Sequence, residues 1–390
     1  MTSTGMTSTG VVTAAELNFR SSPSSATKEN VIKKLLKGKL VQILDEQDEW
    51  LKVSVDGQSG FVSSNFIQQQ QATPVSDVEP SSGVLHQPEV GPEPAHGACK
   101  FVGDKAVAPD GTQFGKKFKL GVFNFGKTGI SQFVGKHQDR FVGIAPSRLR
   151  IMQAVSDNEG NLEAINTWDN AFLTFGIFQW TAGAGSGAGE LPALLHRLKR
   201  TSPTIFQRYF GQFGLDVSVS ASSSGAVPVG FFTLDGTLLK NPAQKERLRT
   251  LDWAYRFWLS GHDDTVRQIQ VEHAMDRVDL FYRNMKCVIG ERFVGDYVTS
   301  ELGVALLLDQ HVNRPGHVPG TLSRAVAKCV AEFGGDNPQA WKNAQEQRLL
   351  DLYVQLRADT NMTDSIKRTD TIRKAVKTGL ASDQRGSYQV

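Results

Sequence analysis

Cysteine is scarce in this chain, and long apolar runs are absent from its sequence. The 390 residues include three cysteines, Cys99, Cys287 and Cys329. An odd number at such wide spacing fits neither a zinc site nor a disulfide framework, so we expect no metal and no cofactor. The N-terminus, MTSTGMTSTGVV, has no basic segment followed by an apolar one. No stretch approaches the roughly 18 apolar residues of a membrane span. The sequence therefore predicts neither a signal peptide nor membrane insertion.

Neither positive nor negative charge predominates in the sequence. The chain has 43 basic and 40 acidic side chains, which gives a net charge of +3. Residues 101–390 carry about +6, because residues 68–100 hold four acids and one lysine. This mild excess suits an anionic polymer, but it is far below the basic surface of a nucleic-acid-binding protein. We therefore expect no nucleic-acid partner.

The first patterned segment covers residues 11–67. It has short stretches in which apolar and polar residues alternate, as in Lys52, Val53, Ser54 and Val55, separated by turn residues. A period of two is typical of strands with one buried face. The segment is therefore predicted to be a small all-β barrel.

Four motifs of this segment follow one another in a characteristic order. They are LNFRSSP from residue 17, LKG from residue 36, WLKV from residue 50 and GQSGFV from residue 57. These motifs resemble those of the bacterial SH3 family across the whole module. The resemblance implies attachment to peptidoglycan or positioning of a catalytic domain. Large aromatic side chains are mostly buried, so we expect Trp50 and Phe61 to fill the barrel.

Residues 68–98 are rich in Gln, Pro, Ser and Gly and hold few large apolar side chains. That composition is typical of a linker, partly extended by its prolines. The sequence thus divides into a β module at 11–67, a linker at 68–98 and a larger domain at 99–390.

The domain at 99–390 begins with Gly-rich and Phe-rich segments and continues with helical periodicity. Apolar spacing and capping residues predict helices at 147–158, 190–212, 243–260, 264–286, 299–312, 321–333 and 338–358. Residues 359–390 are polar and have only a weak helix signal. The predicted fold class is multidomain, with a small all-β barrel followed by a mainly α-helical domain.

The chemistry is predicted to lie in residues 148–183. Leu149, Met152 and Val155 form an apolar helix face that leads into Glu159. The next residue, Gly160, favours the end of a helix. This arrangement places a carboxyl group at the edge of a cleft.

A glycosidase needs one carboxylic acid that is protonated near neutral pH, and often a second carboxylate that activates water. Burial would raise the pKa of Glu159, whereas Asp169, ten residues later in a wetter loop, could stay ionised. We therefore predict Glu159 as the general acid and Asp169 as the base. Glu163 is the competing acid, and Glu159 is preferred because it directly follows the apolar helix.

The segment around Glu159 resembles the lysozyme superfamily, especially goose-type lysozymes and lytic transglycosylases. Glu159 matches their acid, Trp168-Asp169 resembles a loop element, and Phe175-Gly176-Ile177-Phe178-Gln179 matches the motif that closes the loop. Many relatives have Ser after the acid, where this chain has Gly160. The stretch GVALLLDQHVNR at 303–314 resembles the helix that lines the cleft opposite the acid.

The resemblance implies a lysozyme-like catalytic domain that binds sugar near the acid. The residues predicted to contact substrate are Trp168, Thr174, Gln179, Trp180, Asp309 and Asn313. For the aromatic members, core packing is the competing interpretation.

The sequence thus predicts a peptidoglycan hydrolase that cleaves the β-1,4 glycan backbone. Three alternatives stay open: a lytic transglycosylase, a chitosanase-like or chitinase-like enzyme, and a non-catalytic wall-binding protein of a phage or secretion system. The expected partner is peptidoglycan or a related amino-sugar polymer. Action at the wall without a signal peptide implies delivery by a non-classical route, such as a phage or secretion-system carrier, with an immunity protein as a further partner.

Overall fold

The computed structural model divides the chain into two compact units, Met1–Leu85 and His86–Val390. The structure describes residues 8–25, 27–37, 39–47, 49–55, 58–70, 91–219, 226–284 and 289–389. Cys287, the motif glycines Gly38 and Gly57, and most of the predicted linker lie outside the described residues, while Cys99 and Cys329 have free thiols.

The first unit is a seven-stranded antiparallel barrel, as its alternating pattern predicted. The strands are β1 (Ser8–Val12), β2 (Glu16–Arg20), β3 (Val31–Leu36), β4 (Leu40–Gln47), β5 (Trp50–Val55), β6 (Gln58–Ser63) and β7 (Ile67–Gln70). They are hydrogen-bonded in the order β3-β2-β6-β5-β4-β1-β7. Every second residue of β5 points inward, so Leu51, Val53 and Val55 are buried.

The core of the barrel is aliphatic and has one aromatic ring at its centre. Phe19 is completely buried among Leu51, Val53 and Val62. The prediction that Trp50 and Phe61 fill the core is wrong, because both are only half-buried. They occupy the outward positions of β5 and β6, where the strand period directs alternate side chains to the other face.

The second unit contains a second seven-stranded antiparallel sheet. Its strands are β8 (Lys100–Val102), β9 (Lys105–Val107), β10 (Gln113–Phe118), β11 (Gly121–Asn124), β12 (Ile165–Asn166), β13 (Thr174–Phe175) and β14 (Trp180–Thr181). The order is sequential from β8 to β14. A separate three-stranded sheet contains β15 (Leu215–Val219), β16 (Gly230–Leu234) and β17 (Thr237–Leu238). The unit is therefore mixed helix and sheet, rather than mainly helical as predicted.

Helices supply most of the core of this unit. They are α1 (Ile130–Lys136), α2 (Pro146–Val155), α3 (Leu191–Thr201), α4 (Pro203–Tyr209), α5 (Pro242–Lys245), α6 (Leu251–Ser260), α7 (Asp264–Asp279), α8 (Val294–Tyr297), α9 (Glu301–Asn313), α10 (Val318–Phe333), α11 (Asn343–Ala358) and α12 (Ser365–Lys377). The central one is α9, in which every residue from Glu301 to His311 is buried. Within the described residues, no helix is long and apolar enough to cross a membrane.

Most predicted helices are present, and the differences have local causes. The helix predicted at 190–212 is divided into α3 and α4 because Pro203 lacks an N–H and begins a new helix. The helix predicted at 243–260 is divided because Thr250 caps α6 through its side-chain oxygen. The polar stretch after residue 359 contains α12, which the sequence did not predict.

Both ends of the segment predicted as a linker, 68–98, contact described elements. Strand β7 continues the barrel to Gln70. At the other end, the Gly91 N–H donates to Asp263 at 3.1 Å, and Tyr209 donates to the carbonyl of Pro92 at 3.3 Å. Residues from 91 onward therefore belong to the second unit.

Candidate functional site

Glu159 stands at the end of a helix, as predicted. Helix α2 continues into a 3₁₀ turn at Ser156–Asn158, and Glu159 follows with an extended backbone. Its N–H donates to the carbonyl of Ser156 at 3.2 Å. The helix thus fixes the position at which the Glu159 side chain leaves the backbone.

Gly160, the residue after Glu159, is held against the turn at residues 175–179, the FGIFQ turn. The Gly160 N–H donates to the carbonyl of Ile177 at 2.7 Å. A Cβ at position 160 would lie 3.1 Å from the carbonyl oxygens of Gly176 and Ile177. This close backbone approach favours glycine at position 160.

The FGIFQ turn is held from below by helix α7. The Gln270 side chain accepts from the Ile177 N–H at 3.2 Å and donates to the carbonyl of Leu162 at 2.8 Å. Gly176 has a φ of +78° and lies so close to Gln270 that a Cβ would be 2.2 Å from its amide oxygen. Only glycine combines this dihedral with this approach.

The Glu159 carboxylate contacts Arg368 of α12. Its side chain is 7% exposed, and Arg368 Nη2 pairs with its Oε1. Arg368 also contacts Asp309 of α9, at 2.9 Å from Nε and 2.6 Å from Nη2. A third contact runs from Arg368 Nη1 to the carbonyl of Asn158 at 2.7 Å. Arg368 therefore links the acid to the buried carboxylate that was also predicted as a site residue.

Asp309 has a second positive partner. Its Oδ2 lies 3.1 Å from Arg357 Nη1, and both side chains are completely buried. Its Oδ1 accepts from the Asn158 side chain at 3.2 Å. Asp309 thus pairs with two arginines, of which Arg368 also pairs with Glu159. Because the Asp309 side chain is completely buried, it has no direct access to a polymer substrate.

Burial dominates the proton affinity of Glu159. Desolvation raises its pKa to about 8, Arg368 opposes that rise, and the negative charge of Asp309 adds to it. A carboxyl group with this pKa is mostly protonated at pH 7. That is the state a general acid requires before reaction.

A cavity of about 390 Å³ opens beside Gly160. Three predicted substrate residues, Trp168, Thr174 and Gln179, line it. The remaining lining residues come from β10, β11 and the loop around β12: Phe118, Phe123, Asn124, Phe125, Ala164, Ile165 and Asn166. The cavity therefore combines aromatic rings with amide and hydroxyl groups next to the residue that follows the acid.

Asp169 is engaged in its own loop. Its Oδ1 accepts from the Ala171 N–H, and its Oδ2 accepts from the Asn166 side chain, both at 2.9 Å. It lines a more open depression that shares Trp168 with the cavity. Among the described residues, no hydrogen bond or ion pair joins Asp169 to Glu159 or Arg368.

Trp180 and Asn313 lie away from the cavity lining. Trp180 is buried, with its ring 5.7 Å from Phe178 and 5.3 Å from His273. Asn313 is half-buried at the end of α9, where it donates to the carbonyl of Asp309 at 2.9 Å. Neither residue lines the cavity, so both have contacts within the protein in place of the predicted contact with substrate.

Glu163, the competing acid, has a structural position. It is buried, and its Oε1 accepts from the N–H groups of Lys127 at 2.7 Å and Thr128 at 3.0 Å. These bonds hold the segment between β11 and α1. The structure thus separates the two glutamates: Glu163 is bonded to backbone N–H groups, whereas Glu159 pairs with Arg368 and precedes Gly160, which lines the cavity.

Sequence reasoning missed a second buried ionic cluster. Glu190 pairs with Arg277 and lies 3.3 Å from His273, with all three side chains largely buried. Arg277 lowers the pKa of Glu159 through its charge. The cluster therefore acts on the acid although it does not line the cavity.

Sequence reasoning also missed Arg368, the direct partner of the acid. The buried residues of its helix recur every third position, at Thr369, Ile372 and Ala375. This spacing is the one local signal that could have revealed α12. It would have indicated a helix, but not that Arg368 pairs with Glu159.

The described residues contain no group of three or more His, Cys, Asp or Glu side chains that could hold a metal ion. The side chains that the structure brings together at the site are a carboxyl, a guanidinium and the rings of the cavity wall.

Comparison with known proteins identifies part of the first unit. A family model described as Bacterial SH3 domain matches residues 15–68. No curated protein and no solved structure matches the chain. The predicted resemblance of the β module is thereby confirmed. Residues 15–68 are similar to bacterial SH3 domains, whose presence suggests a role in binding the cell wall.

Proposed function

We propose that this protein is a glycosidase that cleaves the β-1,4 glycan backbone of peptidoglycan at the bacterial cell wall, with Glu159 as the general acid. The observation that carries the proposal is the buried carboxyl of Glu159, whose pKa is raised to about 8 and whose chain neighbour Gly160 lines an aromatic cavity. The SH3 match supports the wall as the place of action. The lysozyme-like motifs around Glu159 support the β-1,4 glycosidic bond as the bond that is cleaved.

In this mechanism Glu159 gives its proton to the glycosidic oxygen as the bond from that oxygen to C1 breaks. Arg368 contacts Oε1, so we assign the proton to Oε2. Arg368 then stabilises the carboxylate that remains. In the hydrolytic route, water adds to C1 and passes its proton to Asp169 acting as base.

A lytic transglycosylase is the second candidate, and the position of Asp169 favours it. Both Asp169 oxygens are engaged in the loop, and the residue lines the neighbouring depression. In this route the sugar's own 6-hydroxyl attacks C1 and returns its proton to the Glu159 carboxylate. One glutamate then serves as acid and base.

Digestion of purified sacculi tests the function. We expect wild type to release soluble fragments and Glu159→Gln to release at least about a hundredfold less, in line with the usual contribution of general acid catalysis. Mass spectrometry of the fragments distinguishes reducing ends, left by hydrolysis, from anhydro ends, left by transglycosylation. Asp169→Asn should abolish the first reaction and spare the second.

The matched control is Asp157→Asn, which removes an exposed carboxyl two residues before the acid. It should digest sacculi at the wild-type rate. Equal digestion by Glu159→Gln and wild type would refute Glu159 as the acid. Absence of fragments from wild type would refute peptidoglycan cleavage altogether.

A further inference from the structure

Four aromatic rings form a continuous row along the cavity. The ring centroids are 5.2 Å apart for Phe125 and Phe123, 5.6 Å for Phe123 and Phe118, and 5.1 Å for Phe118 and Trp168. All four rings line the cavity beside Gly160. The row therefore forms one wall of the cavity.

The row is built on the interior of the second unit's sheet, where β11 is paired with β10 on one side and with β12 on the other. Strand β11 pairs with β12 through Phe123 opposite Asn166. The Val122 N–H donates to the Thr167 hydroxyl, and the Thr167 N–H donates to the Val122 carbonyl, both at 2.9 Å. These bonds fix Trp168 beside the β10–β11 hairpin, so the rings are in place before a ligand arrives.

Two rings of the row are exposed, and the other two, Phe123 and Trp168, are half-buried. Phe125 is 76% exposed, and Phe118 and the hairpin residue Leu120 are exposed as well. Contiguous exposed apolar surface next to polar groups marks a binding site more often than a free surface. The apolar C–H faces of a sugar ring stack on such rings, while Thr174 and Gln179 in the same cavity offer polar contacts.

The hairpins that carry the row are strongly basic. Residues 100–127 contain six lysines and two aspartates, a net charge of +4, although the whole chain carries +3. The side chains of these lysines are exposed. Lys119 Nζ lies 4.3 Å from the centroid of the Trp168 ring and 5.4 Å from that of Phe118. A positive charge is thus fixed at the end of the row.

We propose that Phe118, Phe123, Phe125, Trp168 and Lys119 form a subsite for an N-acetylated amino-sugar strand that carries carboxylates. This inference rests on the proposed function and narrows its substrate. The rings stack on the sugar faces, and the lysines attract the acidic substituents. At mildly acidic pH the same lysines repel chitosan, whose free amines are then cationic.

Titration of three related soluble ligands into the Glu159→Gln protein tests the subsite without turnover. The ligands are peptide-free peptidoglycan strands with free lactyl carboxylates, chitin oligomers of the same length without carboxylates, and chitosan oligomers with free amines. We expect affinity to fall in that order. Adding Phe125→Ala or Trp168→Ala should weaken binding of the first two ligands by about fivefold or more.

Lys119→Glu should remove the preference for the carboxylate-bearing strand over chitin. The matched control is Val142→Ala, since Val142 is 85% exposed and lies outside the row. Equal binding of all variants, or chitosan binding as tight as that of the acidic strand, would overturn the subsite. Binding of phosphatidylglycerol vesicles that is lost in the ring variants, without binding of any glycan, would reassign the row to a membrane surface.

Failure of the subsite differs from failure of the proposed function. If wild type cleaves sacculi while the ring variants bind strands normally, the subsite is wrong and the enzyme assignment stands. If the strands bind through the row but wild type releases no fragments from sacculi, the subsite stands and the catalytic proposal is wrong.

Discussion

At the scale of single residues, the pKa of Glu159 is set mainly by its burial and by the charges of Asp309 and Arg368. Burial and the charge of Asp309 raise its pKa, whereas the charge of Arg368 lowers it. Arg368 is itself shared between the two carboxylates. Removing Arg368 should therefore change when Glu159 loses its proton, even though Arg368 is not the proton donor.

The first prediction concerns the pH dependence of sacculus digestion. Because a general acid must be protonated, activity should fall as pH rises through the Glu159 pKa of about 8. Arg368→Gln removes the charge that lowers this pKa, so the alkaline limb should move up by about one pH unit or more. The measurement is the initial digestion rate from pH 5 to pH 10.

The control for this variant is Arg373→Gln on the same helix. Arg373 pairs with the exposed carboxylate of Asp351 at 2.6 Å, and such pairs contribute little. Its pH profile should match wild type. An alkaline limb that stays in place in Arg368→Gln would contradict the electrostatic role given to Arg368.

The second prediction concerns stability. A carboxyl whose pKa is higher in the folded chain binds its proton more tightly there. This tighter proton binding adds to the free energy of unfolding. The addition is fully present below the ordinary pKa of 4.5 and is lost as pH rises through about 8. Glu159→Gln keeps a neutral side chain at every pH, so it should be more stable than wild type at pH 9. The gain should be a few kcal/mol, since one pKa unit corresponds to about 1.4 kcal/mol.

Urea unfolding of the two proteins at pH 5 and pH 9 measures this difference. The gain should shrink toward zero at pH 5, where Glu159 is protonated in the folded wild type. A Glu159→Gln protein that is equally destabilised at both pH values would show that the ion pair with Arg368, rather than desolvation, dominates this position.

At the scale of elements, the FGIFQ turn connects the acid to the cavity. Gly160 is bonded to the turn at Ile177, and Gln179 at its end lines the cavity. Gln270 of α7 holds the turn through its buried amide. A disturbance of this turn should therefore affect both the fold and the position of Glu159.

Gly176→Ala tests that connection. The new Cβ would meet Gln270 at 2.2 Å on a backbone with a φ of +78°. We expect a loss of about 2–4 kcal/mol in the free energy of unfolding from strain and overpacking. Activity of the folded fraction should also fall, because the turn displaces Gly160 when it moves. Urea unfolding and digestion rates measure the two effects.

Gly185→Ala is the matched control for that substitution. Gly185 has a φ of +54°, but nothing lies within 4 Å of its Cβ position. It should cost about 1 kcal/mol and leave the digestion rate of folded protein unchanged. Equal losses in the two alanine variants would show that Gln270 does not hold the turn.

Elements near the acid could be predicted from the sequence because their signals are local. The apolar face of α2 and the glycine after Glu159 are neighbours in the chain, and the FGIFQ motif lies within about twenty residues. Arg368 is 209 residues away from Glu159, and its helix has only a weak apolar stripe. No local pattern reports that such a residue will pair with the acid.

The sheet of the second unit was hidden for a different reason. Strands β12, β13 and β14 each have only two residues, too few for a period of two to be recognised. The pairing of β12 with β11 is what brings Trp168 next to the aromatic hairpin. The row of rings was therefore invisible in the sequence, although every ring in it could be counted there.

At the scale of the whole molecule, the chain consists of two compact units. The residues matched to bacterial SH3 domains lie in the first unit, and Glu159 with its cavity lies in the second. Each unit has its own hydrophobic core. A substitution that unfolds the barrel should therefore leave the chemistry of the second unit intact.

Phe19→Ala is the substitution that separates the two tasks. Phe19 is fully buried at the centre of the barrel, and removing such a ring costs about 3–5 kcal/mol. Small domains have a total stability near the lower end of about 5–15 kcal/mol, so most of the barrel should unfold. We expect this variant to sediment poorly with intact sacculi but to cleave soluble peptidoglycan strands at the wild-type rate.

Leu36→Ala, which changes a side chain of the same barrel that is 64% exposed, should behave as wild type in both assays. If Phe19→Ala still sediments fully with sacculi, the second unit binds the wall by itself. If it loses cleavage of soluble strands, the two units depend on each other, because the cavity of the second unit then fails without the barrel.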